Sequence, residues 1–390
     1  MQNTDTKKPR IAVLHEAFLY RGGAERLVTL MAKALDADII SGFFSEGSFD
    51  PRELGFSGEM ISLGKPVFAK SIRHMILKWR FFWSAKILNQ YDVIIFSGNC
   101  TEALWLMNRN VRKLFYCHTP PRYLYDFREK YLKSIHFLIR PVFSLAFNLF
   151  SYIYIRDLRK FDTIFTNSQN THDRLLHFCS QESTILYPPT DTEKFKIQNS
   201  KFKITVPNNL TSGIVHLESD SYYLSFSRLS PPKRVDIVID AFLRMPEKNL
   251  VFTYGVNDPM KDELLEKVKN AKNIFPLPAP KDDEFIQLVQ GAIANVYIPV
   301  DEDFGMSPVE SMACGVPVIG VREGGLLETV IEGKTGKLIE IVNRESGIVN
   351  LKQVIQSTSV KEWNSMRDDC VIRAQDFSLD RFIENLKKYI

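Results

Sequence analysis

The sequence predicts an α/β protein of two parallel sheets, each covered by helices on both faces. Three observations predict it. Strand-length apolar runs alternate with helix-length amphipathic stretches along most of the chain, the pattern of β-α-β units. At 390 residues and 45% apolar composition, the chain exceeds what one hydrophobic core usually organises. The alternation lapses once, near mid-chain, into short polar pieces.

The first unit opens with an apolar strand, Ile11 to Leu14. A turn through Tyr20-Arg21-Gly22-Gly23 follows, then a helix from about Ala24 to Leu35. Further strands read at Val93 to Ser97, Lys113 to Cys117, Thr163 to Asn167 and Thr184 to Tyr187. From Ile197 to Ser219 the periodicity fails, with Pro207-Asn208-Asn209 as a turn signal, so the boundary between domains is expected there. The domains are then residues 1–200 and 201–375. The second repeats the scheme with strands near Tyr222 to Phe226, Leu250 to Tyr254, Ala294 to Ile298 and Val316 to Val321. Residues 376–390 read as a terminal helix over Arg381 to Tyr389, whose packing partner periodicity does not reveal.

Composition excludes several classes. A formal charge of +4 is too small to point to nucleic acid. Five scattered cysteines without a Cys-x-x-Cys pair offer neither a zinc site nor a disulfide framework, and fit a reducing, cytoplasmic compartment. The apolar run after the polar N-terminus is too short for a secretory signal. The longest uncharged apolar run, Pro141 to Ile155, is too short to cross a bilayer. Between Met60 and Tyr91 there are six Lys/Arg and no acidic residues, interleaved with Phe68, Trp79, Phe81, Phe82 and Trp83. Such a segment suits an interfacial helix on anionic lipid, with the aromatic-rich stretch Tyr131 to Tyr154 as a second candidate; a helix hairpin packed on the sheet with a solvated basic rim fits as well.

Two segments carry chemistry. In Asp301-Glu302-Asp303-Phe304-Gly305-Met306-Ser307-Pro308-Val309-Glu310, Ser307 reads as an N-cap, Pro308 as the first helical residue and Glu310 as the close of a capping box, with Gly315 ending the helix. Glu310 is then either a cap or, with Gly305 just ahead of helix-terminal N–H groups, part of a phosphate-receiving loop. Ser227-Arg228-Leu229-Ser230-Pro231-Pro232-Lys233-Arg234 puts cations at a strand's carboxyl end, where ligands of open α/β sheets bind. The alternatives there are a diphosphate site and a solvated basic turn.

With these residues in place the chain resembles glycosyltransferase family four, the retaining enzymes of the GT-B fold, in which two Rossmann-like domains face each other across a cleft. The resemblance covers nearly the whole length. It rests on the Glu-x7-Glu pair Glu302 and Glu310, on Arg228 and Lys233, and on Gly22 and Gly23. It implies that Glu310 bonds the donor ribose, that Glu302 contacts the donor sugar, and that Arg228 and Lys233 neutralise the leaving diphosphate, helped by main chain at Phe304, Gly305 and Met306. In similar enzymes a histidine at the position of His118 meets the transferred sugar. The wording His118-Thr119-Pro120-Pro121-Arg122-Tyr123, with Tyr187-Pro188-Pro189 later, most resembles bacterial mannosyltransferases of O-antigen and other surface polysaccharides. The expected reaction is mannose transfer from GDP-mannose to a lipid-linked saccharide at the cytoplasmic face of the membrane. A UDP-sugar donor on the same fold, a non-catalytic scaffold and a sugar-nucleotide epimerase are the alternatives. His15 and Glu16 either line the acceptor side or satisfy loop backbone. Asp301-x-Asp303 spells a metal-binding Asp-x-Asp, but the cationic turn already supplies positive charge, so no metal and no cofactor are expected.

Overall fold

A continuous apolar run along a strand sends apolar side chains to both faces of the sheet, so a buried parallel sheet needs a helical layer on each side. The computed structural model, which describes residues 8–19, 22–195, 203–207, 214–280 and 282–390, satisfies that need twice. Its residues fall into two units, Met1–Pro188 with Phe382–Ile390, and Pro189–Arg381. The break between units lies at Pro188/Pro189, ahead of the boundary expected at residue 200. Part of that polar lapse, and Tyr20-Arg21 of the glycine turn, fall outside the described residues.

In the first unit seven strands, β1 (Ile11–His15), β2 (Asp38–Ser41), β3 (Met60–Ser62), β4 (Val93–Ser97), β5 (Arg112–Cys117), β6 (Thr163–Thr166) and β7 (Thr184–Ile185), form a parallel sheet in the order β3-β2-β1-β4-β5-β6-β7. Ala12, Leu14, Ile94, Phe96, Phe115 and Cys117 point into one core, and Ile11, Val13, Val93, Ile95, Leu114 and Tyr116 into the other. Helix α1 (Gly23–Leu35) covers the second face with Leu27, Val28, Met31 and Leu35. Helices α2 (Lys70–Trp83) and α3 (Arg140–Leu158) cover the first, through Leu77 and Phe81 and through Tyr154 and Leu158. The C-terminal helix, Leu379–Lys387, begins two residues earlier than expected. Its packing is now defined: Phe382 and Leu386 enter the core beside α1, and Phe382 meets Tyr116 edge-on at 6.4 Å.

The second unit starts with an antiparallel hairpin, β8 (Lys203–Pro207) and β9 (Ile214–Glu218), inside the stretch that reads as structureless. Its sheet has six parallel strands, β10 (Tyr222–Phe226), β11 (Asn249–Tyr254), β12 (Ile274–Pro278), β13 (Asn295–Tyr297), β14 (Val318–Val321) and β15 (Gly336–Ile339), ordered β12-β11-β10-β13-β14-β15. Helix α4 (Val235–Leu243) follows β10, and α5 (Met306–Ala313) follows β13. In both sheets the order reverses between the first strand and the one beside it, at β1/β4 and at β10/β13. The carboxyl ends of those strands form the crevice where open α/β sheets hold ligands. Both chemistry-bearing segments of the second unit leave the sheet there.

Candidate active site

In the second unit the cationic turn and the acidic loop are locked together. Lys233 Nζ donates to Glu302 Oε2 at 2.6 Å and to the Tyr297 hydroxyl at 2.9 Å. Lys233 and Glu302 side chains are each about one-quarter exposed, so the pair borders solvent without being dissolved in it. Tyr297, buried at the end of β13, also bonds Glu302; burial first, then the charges of Glu302, Glu310 and Asp303, push its hydroxyl well above the ordinary value, and it keeps its proton. The main chain repeats the lock, Val300 N donating to Pro232 O at 2.7 Å.

Two non-glycine residues here adopt left-handed backbone, Arg234 at φ 54° and Asp301 at φ 43°. Such conformations cost energy and persist where the surroundings over-determine them. Glu323 holds both, its Oε1 accepting from Arg234 Nη1 at 2.6 Å and from the Asp301 amide at 3.3 Å. The glycines after it let the acidic loop lie against the chain. A Cβ on Gly324, itself at φ 60°, would come within 2.5 Å of Glu302 O, and one on Gly325 within 2.5 Å of Asp303 O. Sequence reasoning missed Tyr297, Arg234, Glu323, Gly324 and Gly325. The signal available was the Glu-Gly-Gly following β14.

Two local expectations are corrected. Helix α5 starts at Met306 with Gly305 as its cap, at φ 91°, and no side chain caps it. Ser307 therefore sits inside the first turn, its hydroxyl donating to Phe226 O at 3.2 Å, and Glu310 closes no capping box. Glycine at left-handed φ ends the loop two residues earlier than the serine cap would, because it needs no side-chain acceptor to turn the chain. Gly315, at φ 71°, follows the helix end as expected. The Phe304 side chain is 2% exposed and meets Phe377 edge-on at 5.3 Å, so only its main chain is left for a ligand. Arg228 is held against Asp258. Its Nε lies 3.8 Å from Asp258 Oδ1, and its side chain is 54% exposed. Asp258 is itself fixed, accepting from the amides of Gly255 at 2.8 Å and Leu229 at 3.1 Å. Among the described residues no three His, Cys, Asp or Glu side chains gather as metal ligands.

In the first unit Gly22 caps α1 and Gly23 begins it. A Cβ on Gly22 would meet the Glu25 carboxylate at 2.6 Å, so the glycine makes room for a buried acid in the helix's first turn. His118 follows β5, and its Nε2 lies 2.8 Å from Ser97 Oγ at the end of β4. His15, ending β1, places Nδ1 3.1 Å from the same oxygen. Burial lowers His118 to about 4; burial, then the neighbouring His118, lowers His15 to about 3, and both imidazoles are neutral at physiological pH. Glu16 accepts from the Asn99 amide at 3.3 Å, which is the backbone-satisfying role, and burial raises its carboxyl.

An ion pair at a sheet's switch point, beside a helix start that no side chain caps, puts charge and free-facing backbone donors together, the chemistry that suits an anion. Residues 21–194 match the model described as Glycosyltransferase Family 4, and residues 212–376 the model described as Glycosyl transferases group 1. The chain is a glycosyltransferase. It is similar to the alpha-1,3/1,6-mannosyltransferase ALG2 of Dictyostelium discoideum, 27% identical over 382 residues that cover 86% of this chain and 87% of the relative. Among solved structures it shares its fold with a sucrose-phosphate synthase from Thermosynechococcus elongatus, at TM-score 0.74 and 15% identity over 97% of this chain and 98% of that one. It also shares it with the Anabaena protein HepE in complex with UDP-glucose, at TM-score 0.69 and 16% identity over the same shares. The fold of this glycosyltransferase is thus GT-B. The mannosyltransferase relatives do not carry the expected setting in O-antigen or surface-polysaccharide assembly.

Proposed function

We propose that this glycosyltransferase moves mannose from GDP-mannose to a lipid-linked saccharide with retention of configuration and without a metal. The observation that carries the reading is the Lys233–Glu302 pair at 2.6 Å, set where the β10 and β13 loops meet ahead of α5. An ammonium and helix-terminal amides stabilise a departing diphosphate through preorganised charge, worth ~10²–10³ in rate per donor removed. Glu302 orients the donor sugar, Glu310 grips the ribose, Arg228 reaches the diphosphate from its anchor on Asp258, and His118 meets the transferred hexose. Relatives named as mannosyltransferases support the sugar. The test is transfer of labelled mannose from GDP-mannose to an extract carrying lipid-linked oligosaccharide, in EDTA. Product is expected with GDP-mannose and not with UDP-glucose or UDP-N-acetylglucosamine. Transfer from a UDP-sugar alone replaces the donor assignment, and abolition by EDTA with rescue by manganese overturns the metal-free one.

We place the acceptor at an anionic membrane surface on the cytoplasmic face. Helix α2 exposes Ile72, Met75, Trp79 and Trp83, and α3 with the turn before it exposes Leu138, Val142, Leu145, Leu149 and Tyr152, each set at a three- and four-residue spacing. The Trp105 turn joins them: its indole donates to Asp157 of α3 at 2.7 Å and meets Phe82 of α2 edge-on at 6.1 Å. No helix among the described residues is long and apolar enough to cross a membrane. Apolar faces rimmed by lysine and arginine bind by lying in the interface. Vesicles of phosphatidylcholine with phosphatidylserine should float the protein. The pair of variants Trp79→Glu and Leu145→Glu should stay behind, and equal recovery of wild type and variants counts against the surface.

A further inference from the structure

Three side chains at the carboxyl ends of neighbouring strands form a hydrogen-bonded row in the first unit. His15 Nδ1 lies 3.1 Å from Ser97 Oγ, and Ser97 Oγ lies 2.8 Å from His118 Nε2. The register makes the row: His15 and Ser97 are direct partners across β1 and β4, and Ser97 partners Tyr116, two residues before His118. His15 is 5% exposed and Ser97 is wholly buried. The His15 ring is fixed edge-on against Phe18, at 5.3 Å between centroids.

A serine hydroxyl has one proton and two lone pairs, and among the described residues Ser97 Oγ has no third group to receive that proton, so it donates to one imidazole and accepts from the other. Two arrangements satisfy the row. In the first, His15 Nδ1–H donates to Ser97, which donates to His118 Nε2, and His118 carries its proton on Nδ1. In the second, His118 Nε2–H donates to Ser97, which donates to His15 Nδ1, and each ring carries its proton on Nε2. Either way the two rings share one tautomer. Because burial keeps both rings neutral, each holds a single proton and the row has a direction.

The geometry points to His15 as a positioning residue that acts through Ser97 on His118, fixing whether the remaining His118 nitrogen donates to, or accepts from, a sugar hydroxyl. The inference rests on the reading of His118 as the side chain that meets the transferred sugar. An imidazole held in one orientation and one tautomer loses less on reaching the transition state than one that must be sorted from two.

The first test reads the row in the wild-type protein. In ¹⁵N spectra of histidine-labelled protein, resonances assigned by substitution, His15 and His118 should show matching tautomers, both Nδ1–H or both Nε2–H; opposite tautomers overturn the row. The second is kinetic. Ser97→Ala and His15→Phe should each lower kcat by ~10- to 100-fold with the donor KM little changed, because GDP is held by the other unit. The double variant should fall no further than Ser97→Ala alone, since His15 has no other route to the site, and Ser97→Thr should recover most of the rate. Multiplying losses in the double variant, or wild-type kcat in folded Ser97→Ala, overturn the proposal. His118→Ala separates the two readings: if it transfers at the wild-type rate, the role of His118 itself falls, whereas an inactive His118→Ala beside active row variants removes only the row.

Discussion

Lys233 touches two oxygens of opposite kind, a carboxylate and a protonated phenol, and each sets a different part of its behaviour. The carboxylate fixes its place and the phenol its direction. Tyr297→Phe removes the oxygen that bonds both partners while keeping the buried ring. Charge-assisted bonds of this kind contribute about 1.5–3 kcal/mol, so kcat/KM is expected to drop by ~10- to 100-fold with the fold intact; an unchanged value under steady-state assay would mean that Lys233 is placed by Glu302 alone. In the first unit the neutral histidines make a pH prediction. His15 and His118 fall from 6.5 to about 3 and about 4, so between those values the unfolded chain binds protons that the folded one refuses. Their stabilising effect is present above pH 6.5 and is lost as pH falls toward 4. Calorimetric melting should show the first unit's transition moving down over that window, and His15→Phe should flatten the slope. A transition that does not move would mean the rings are solvated.

At the level of elements, the acidic loop depends on glycine where glycine alone fits. Gly324→Ala combines φ 60° with a Cβ 2.5 Å from Glu302 O, whereas Gly333→Ala has φ 73° with nothing within 4 Å. The first should destabilise the second unit by several kcal/mol and displace Glu302, the second by about 1 kcal/mol with activity kept. Denaturant melts of the two variants measure the difference, and equal losses would mean that strain acts alone, without the clash. The same loop marks what a sequence can and cannot disclose. Lys233 is legible because a strand end and the turn after it locate it, and Glu302 only because the Glu-x7-Glu spacing resembles that of a known family. The α5 cap is misread because Ser307 has the right chemistry two positions too late, and only the backbone shows that Gly305 has already turned. Strands β2, β3, β12 and β15 are short or mixed in polarity and escape a search for apolar runs. Glu323 and Ser97 are invisible for a different reason: their partners lie across the sheet, and strand register is a tertiary property.

Across the whole molecule, the two units repeat one topology with different chemistry at the switch point. The β10/β13 ends carry charge, and the β1/β4/β5 ends carry a neutral hydrogen-bonded row. That division suits a reaction in which one partner is a dianion and the other a sugar hydroxyl. The alternation of runs announced both sheets, and the apolar stripe of the C-terminal helix announced a buried face. Which core takes Phe382 and Leu386 did not follow, because a helix stripe states how much it buries and not against what. Calorimetric titration of GDP-mannose in EDTA reads the contact between the Lys233 ammonium and the diphosphate directly. Wild type should bind with measurable affinity and Lys233→Ala with a Kd weaker by ~10- to 100-fold. Equal affinity in the two proteins would contradict it.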